Sequence, residues 1–171
     1  MEKTKRWILF DWGDTVMRVF PEYSGAMVDW PEVQPIPHIE IALAALLPLY
    51  HLGLATNAVN SDEGQIWAAL ERANLESFFE RVFCFRSLGL RKPAPEFFKA
   101  ILKELGVKPD EVIMVGDELE VDIRGARLAG LSTIWFNETQ DPIIQGDRQP
   151  VIQDMRQLAQ RVSELWEGEK V

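Results

Sequence analysis

Short apolar runs alternate along the chain with stretches of helical period. The runs at 7–10, 52–55, 82–85, 112–115 and 132–136 show little polar alternation, as parallel strands covered on both faces do. Between them the period and the punctuation predict helices over 39–47, 62–73, 94–105, 121–129 and 152–165. Pro37 and Pro48 bracket the first, Ser61 is placed to cap the second, and Pro95 with Gly106 opens and stops the third. Strands alternating with helices of this length predict right-handed crossovers. The expected fold is therefore α/β: a doubly wound, three-layer, Rossmann-like parallel sheet of about five strands. The segment 16–38 breaks the pattern, with Pro21, Pro31, Pro35 and Pro37 among scattered aromatics. Such a loop is either a small lid or an element that merely packs on the core.

Composition narrows the picture. Hydrophobic residues make up 47% and charged residues 26% of the chain, the balance of a globular protein, and 171 residues suit a single domain over 1–171. Lys and Arg number 18 against 27 Asp and Glu, a formal charge of −9. An acidic surface repels phosphate backbones, so no nucleic-acid partner is expected. No apolar stretch approaches the roughly 20 residues of a membrane span. The charged start, Met1 to Arg6, and the short run after it do not have the form of a signal peptide, so a cytoplasmic location and no membrane partner are expected. The single cysteine, Cys84, sits in an apolar run and reads as a packed core thiol.

Ligands of open α/β sheets bind beyond the carboxyl ends of the strands. Those ends carry Asp11 after the first strand, Thr56 and Asn57 after the second, and Asp117 with Glu118 after the fourth. Asp11, Asp117 and Asp122 on one rim repel one another unless a cation sits among them. Oxygen donors with no nearby Cys or His suit Mg²⁺. His38 and His51 are too isolated to suggest zinc. Beside such a cation, the Thr56 hydroxyl, the Asn57 amide and a lysine could cradle a phosphate.

Four segments then resemble, in order, the motifs of the haloacid-dehalogenase-like superfamily. Phe10-Asp11-Trp12-Gly13-Asp14-Thr15 is similar to the first, Leu54-Ala55-Thr56-Asn57 to the second, and Arg91-Lys92-Pro93 to the third. Val115-Gly116-Asp117-Glu118-Leu119-Glu120-Val121-Asp122 is similar to the fourth. The resemblance implies an Mg²⁺-dependent phosphohydrolase with Asp11 as nucleophile, forming an aspartyl-phosphate intermediate. It implies phosphate binding by Thr56, Asn57 and Lys92, and metal binding by Asp11, the Gly13 carbonyl, Asp117 and Asp122. It covers residue 7 to about 136 without a large cap domain. The implied partner is a phosphorylated small molecule or macromolecule; the sequence does not set the oligomeric state.

One position departs from the pattern. Phosphatases of the superfamily carry a second Asp two residues after the nucleophile, as acid and base, and here that residue is Gly13. Three readings stay open. Asp14 swings in as the acid/base; or no acid is present and the substrate supplies a good leaving group, as acyl phosphates do; or the reaction is not phosphate-ester hydrolysis. Phosphonate and haloacid hydrolases also lack this Asp. The former need a lysine from a helical cap for which there is too little chain, and the latter do not need so acidic a fourth motif. A binding or regulatory protein that has lost turnover is the alternative from another class.

Overall fold

The computed structural model describes residues 6–140, 142 and 149–168. Six parallel strands form one sheet in the order β3-β2-β1-β4-β5-β6. They are β1 (Trp7–Phe10), β2 (His51–Thr56), β3 (Arg81–Cys84), β4 (Val112–Gly116), β5 (Ser132–Phe136) and β6 (Val151–Ile152). The helices are α1 (Ile39–Leu46), α2 (Glu63–Arg72), α3 (Phe85–Leu88), α4 (Pro95–Leu105), α5 (Gly125–Leu128) and α6 (Leu158–Glu167).

Alternate residues of each strand face opposite layers. Ile8 and Phe10 of β1 and Ile113 and Val115 of β4 pack with α1, α2 and α6. Leu9, Val112 and Met114 pack with α4 and α5, around Phe97, Phe98 and Ile101. Both faces are covered, which is why the strands read as continuous apolar runs. Cys84 is fully buried, as expected.

The differences from expectation lie at element ends. Phe85, expected in the third strand, opens the short helix α3 instead. Ile152, expected to begin the last helix, pairs with Phe136 in the sixth strand, and the helix starts at Leu158 behind an Asp154 cap. A two-residue strand is too short to show a period. The segment 121–129 is a π-helical turn, Leu119–Arg124, running into α5. Part of the turn-rich stretch 137–150 lies outside the described residues.

The chain reverses its direction of travel across the sheet between β1 and β4. β2 and β3 lie on one side of β1, and β4, β5 and β6 on the other. This switch point opens a crevice at the carboxyl edge, directly beyond Asp11 and Asp117. Among the described residues no helix is long and apolar enough to cross a membrane.

Phe98 is fully buried under the sheet. Its truncation, Phe98→Ala, should cost about 3–5 kcal/mol of unfolding free energy. Urea denaturation checks this as a lower midpoint at unchanged slope.

Candidate active site

Each carboxylate at the crevice is held by the backbone that delivers it. The Asp11 N–H donates to the Val115 carbonyl (2.9 Å), tying the end of β1 to β4. After β4 the chain turns at Gly116, where a Cβ would overlap the Asp122 side chain. The π-helical turn brings Asp122 back beneath the strand end, and its Oδ2 accepts from the Glu118 N–H (3.1 Å). Asp117 accepts from the Thr15 hydroxyl (3.0 Å), and its carbonyl accepts from the Trp135 indole N–H (2.8 Å). Asp11, Asp117 and Asp122 each present an oxygen within 4.8 Å of the others.

Lys92 enters this cluster from the loop before α4. Its Nζ donates to Asp11 Oδ1 (2.7 Å) and Asp122 Oδ1 (2.6 Å), and its side chain is 1% exposed. Burial by itself lowers a lysine's pKa, but the charges of Asp11 and Asp122 outweigh it and raise this one. Three carboxylates around one ammonium still leave the cluster short of positive charge. Burial, then repulsion from Asp11 and Asp122, pushes Asp117 up to about 8. Burial and Asp11 push Asp122 up to about 7, against the pull of Lys92. A set of oxygen donors with surplus negative charge and no thiol or imidazole fits a hard divalent cation.

Thr56 closes β2 at the same edge, 3% exposed, with its hydroxyl oxygen accepting from the Ala58 N–H (3.0 Å). The Asn57 side chain, expected on the phosphate, lines the cavity and is hydrogen-bonded to the backbone of Lys92. Its Oδ1 accepts from the Lys92 N–H and its Nδ2 donates to the Lys92 carbonyl, both at 2.8 Å. Asn57 thus holds the backbone of the residue that reaches the carboxylates. A backbone segment entering a crevice has no ladder to satisfy it, and a side-chain amide offers both partners at once.

Gly13 and Asp14 form a turn in which Asp14 has φ +54° and its N–H donates to the Met17 carbonyl (2.7 Å). Asp14 Oδ1 accepts from the Val19 N–H (3.1 Å) and lies 3.5 Å from the Arg18 guanidinium. Arg18 makes a two-pronged pair with Glu138 at 2.8 and 2.9 Å. A Cβ at position 13 would lie 2.8 Å from Val19 Cγ2. The space a side chain at 13 would enter is therefore taken by the loop.

That loop is built as a wall. Its two legs pair through Arg18 N–H to Gln34 carbonyl (2.7 Å) and Ile36 N–H to Val16 carbonyl (2.8 Å). Its far end, a 3-10 turn at Met27–Asp29, is pinned to α2 by the Arg72 guanidinium, which donates to the carbonyls of Val28 (2.7 Å) and Trp30 (2.8 Å). Val19, Met27 and Trp30 line a cavity of about 470 Å³ that also takes in Asp11, Gly13, Asp14, Thr56, Asn57, Asp117 and Glu118.

The carboxylates and their lysine were legible from the sequence, whereas the brackets around them were not. Thr15 stands inside the first motif and could have been found there. Nothing at Trp135, Arg18 or Glu138 marks a role, because each acts through a partner distant along the chain.

Comparison with known proteins assigns the architecture. A model of the haloacid dehalogenase-like hydrolases matches residues 4–136. The chain belongs to this family. A glyceraldehyde 3-phosphate phosphatase of Pyrococcus furiosus is 47% identical over 70 residues, 41% of this chain and 29% of that protein. A phosphoserine phosphatase of Thermus thermophilus is 37% identical over 91 residues, 53% of this chain and 35% of that protein. The matched stretch thus spans about a third of these relatives. An uncharacterized protein from Listeria monocytogenes serotype 4b superposes with a TM-score of 0.82 over 95% of this chain and 99% of its own, at 21% identity. At that identity the likeness speaks for the fold alone.

The raised Asp117 and Asp122 have a consequence for this family member. The folded state binds protons that the unfolded state has released, so without a cation this cluster's contribution to stability falls as pH rises from about 4 towards 8. Thermal melts in chelator between pH 5 and 8 should show a falling Tm, with a shallower slope in Asp117→Asn. Equal slopes would assign the effect to the acidic surface as a whole.

Proposed function

We propose that the chain is a phosphohydrolase in which Asp11 is the nucleophile and a phosphorylated small molecule is the substrate. The observation that carries this reading is the Lys92 ammonium lodged between Asp11 and Asp122, with Asp117 beside them at the sheet's switch point. The names of the relatives, phosphatases of glyceraldehyde 3-phosphate and phosphoserine, support it.

Asp11, Asp117, Asp122 and the Gly13 carbonyl would hold Mg²⁺. Bound there, the ion supplies charge that offsets the phosphate dianion, which otherwise repels an attacking carboxylate. Asp11 attacks phosphorus through one oxygen; the bond to the leaving oxygen breaks and that oxygen keeps the electron pair. Water then attacks the phosphorus of the aspartyl phosphate, releasing phosphate and regenerating Asp11. Lys92 stays protonated and fixes Asp11. Thr56, whose oxygen already accepts from the Ala58 N–H, has its own proton left for a phosphate oxygen. Asn57 acts on the phosphate by holding Lys92.

Asp14 lines the cavity, but its carboxylate is engaged by the Val19 N–H and lies near Arg18. These contacts favour a residue that braces the loop, with the leaving group departing unassisted. That suits acyl and aryl phosphates.

Phosphate release from such substrates should require Mg²⁺, stop in chelator and be lost in Asp11→Asn. Asp14→Asn keeps an oxygen for the Val19 N–H while removing the proton-transfer group. Its activity should stay within about tenfold of wild type. A loss of roughly 10²–10⁴, the worth of general acid/base help, would instead make Asp14 the acid/base. No release from any substrate would overturn the phosphohydrolase reading.

A further inference from the structure

The cavity beside the carboxylates restricts what a leaving group can be. The loop contributes Val19, Met27 and Trp30 to its lining, and the turn after β2 contributes Ala58 and Val59. The Trp30 indole N–H donates to the carbonyls of Ser24 (3.1 Å) and Gly25 (3.3 Å). Its polar tip is spent inside the loop, so the ring gives the cavity only carbon surface. Tyr23 and Phe20 back the ring at centroid distances of 5.7 and 6.4 Å, and Arg72 holds the Trp30 carbonyl. The surface is thus held in place before a ligand arrives. Val59, half-exposed, lines the same cavity.

The charged residues of the lining are Asp11, Asp14, Asp117 and Glu118, acids without exception; among the described residues no Lys, Arg or His lines the cavity. Lys92 is already spent between Asp11 and Asp122. With Asp11 and Asp117 given to the ion that offsets the phosphate, a second anionic group on a substrate would lose water and meet Asp14 and Glu118, with no lysine, arginine or histidine side chain among the described lining residues to receive it. The other polar side chains on that rim, Asn60 and Ser61, are uncharged.

We infer that the cavity selects phosphate monoesters whose leaving group is uncharged and partly apolar, seated against Trp30 and Val59, and rejects those bearing a second anionic group. This rests on the phosphohydrolase reading and specifies its substrate class. An anion left without a partner is penalised more heavily than a missing apolar contact, so charge discriminates more sharply than shape.

The test compares 4-carboxyphenyl phosphate with its methyl ester, two aryl phosphates of similar size that differ in charge, on the full chain with Mg²⁺. Acetyl phosphate, which has little carbon to set against that lining, serves as the third substrate. Wild type should favour the methyl ester by about tenfold or more in KM, the quantity to compare because the ester is also the better leaving group and raises kcat without help from the cavity. Trp30→Ala should raise KM for both aryl phosphates, which share the ring, and leave acetyl phosphate unchanged. Val59→Lys, at an exposed position where folding is safe even if Trp30→Ala unfolds, should narrow the KM ratio by improving the free acid. A wild-type ratio near one, or a ratio that Val59→Lys leaves unmoved, overturns the inference. If acetyl phosphate is cleaved while the aryl pair is inert or undistinguished, the substrate class alone falls. If none of the three is cleaved, the phosphohydrolase reading falls and takes this inference with it.

Discussion

The ammonium of Lys92, buried between Asp11 and Asp122, is the interaction on which the crevice depends. Without it three carboxylates, two of them buried, would share a site with no positive charge among them. Removing one member of a buried ion group leaves its partners uncompensated, typically at a cost of about 3–5 kcal/mol. Much of the surrounding structure brings this lysine to that place. Asn57 clamps its peptide from both sides. Gly125 of α5 lacks the Cβ that would press into the backbone of Pro93. Gly116 lacks the one that would displace Asp122.

One positive charge does not balance three negative ones, and burial together with that deficit raises Asp117 and Asp122. The cluster resists full ionisation until something positive enters. The donors are held in place by Thr15, Trp135 and the Glu118 amide, so that the cluster could hold a hard cation with little reorganisation. The same imbalance extends into the neighbouring cavity, where Asp14 and Glu118 add to the acidic lining.

The loop from Val16 to His38 settles how this chain departs from the motif at Gly13. Val19 fills the space in front of position 13, and Asp14 anchors the Val19 amide. The absence of a side chain at 13 and the inward course of the loop therefore fit one another. Arg18 and Arg72 tie the loop to the segment after β5 and to α2. A segment so tied supplies a fixed wall, and with it the apolar surface of Trp30 and Met27.

The strands, the helices and the ordered row of Asp11, Thr56, Lys92, Asp117 and Asp122 were legible in the sequence. Burial on both faces leaves continuous apolar runs, and chemistry at strand ends places polar residues immediately after them. Element ends were less legible: Phe85 and Ile152 are apolar in either assignment, so hydrophobicity cannot say whether they close a strand or open a helix. The sequence by itself determined the architecture and the residue types that meet at the carboxyl edge, since both follow from local pattern and chain order. Only the tertiary structure places the Asn57 amide on the Lys92 peptide, the Val19 N–H on the Asp14 carboxylate, and Val19, Met27 and Trp30 of the proline-rich loop along the cavity. Each of these turns on a contact between residues whose own types permit several partners, and only the folded chain selects one.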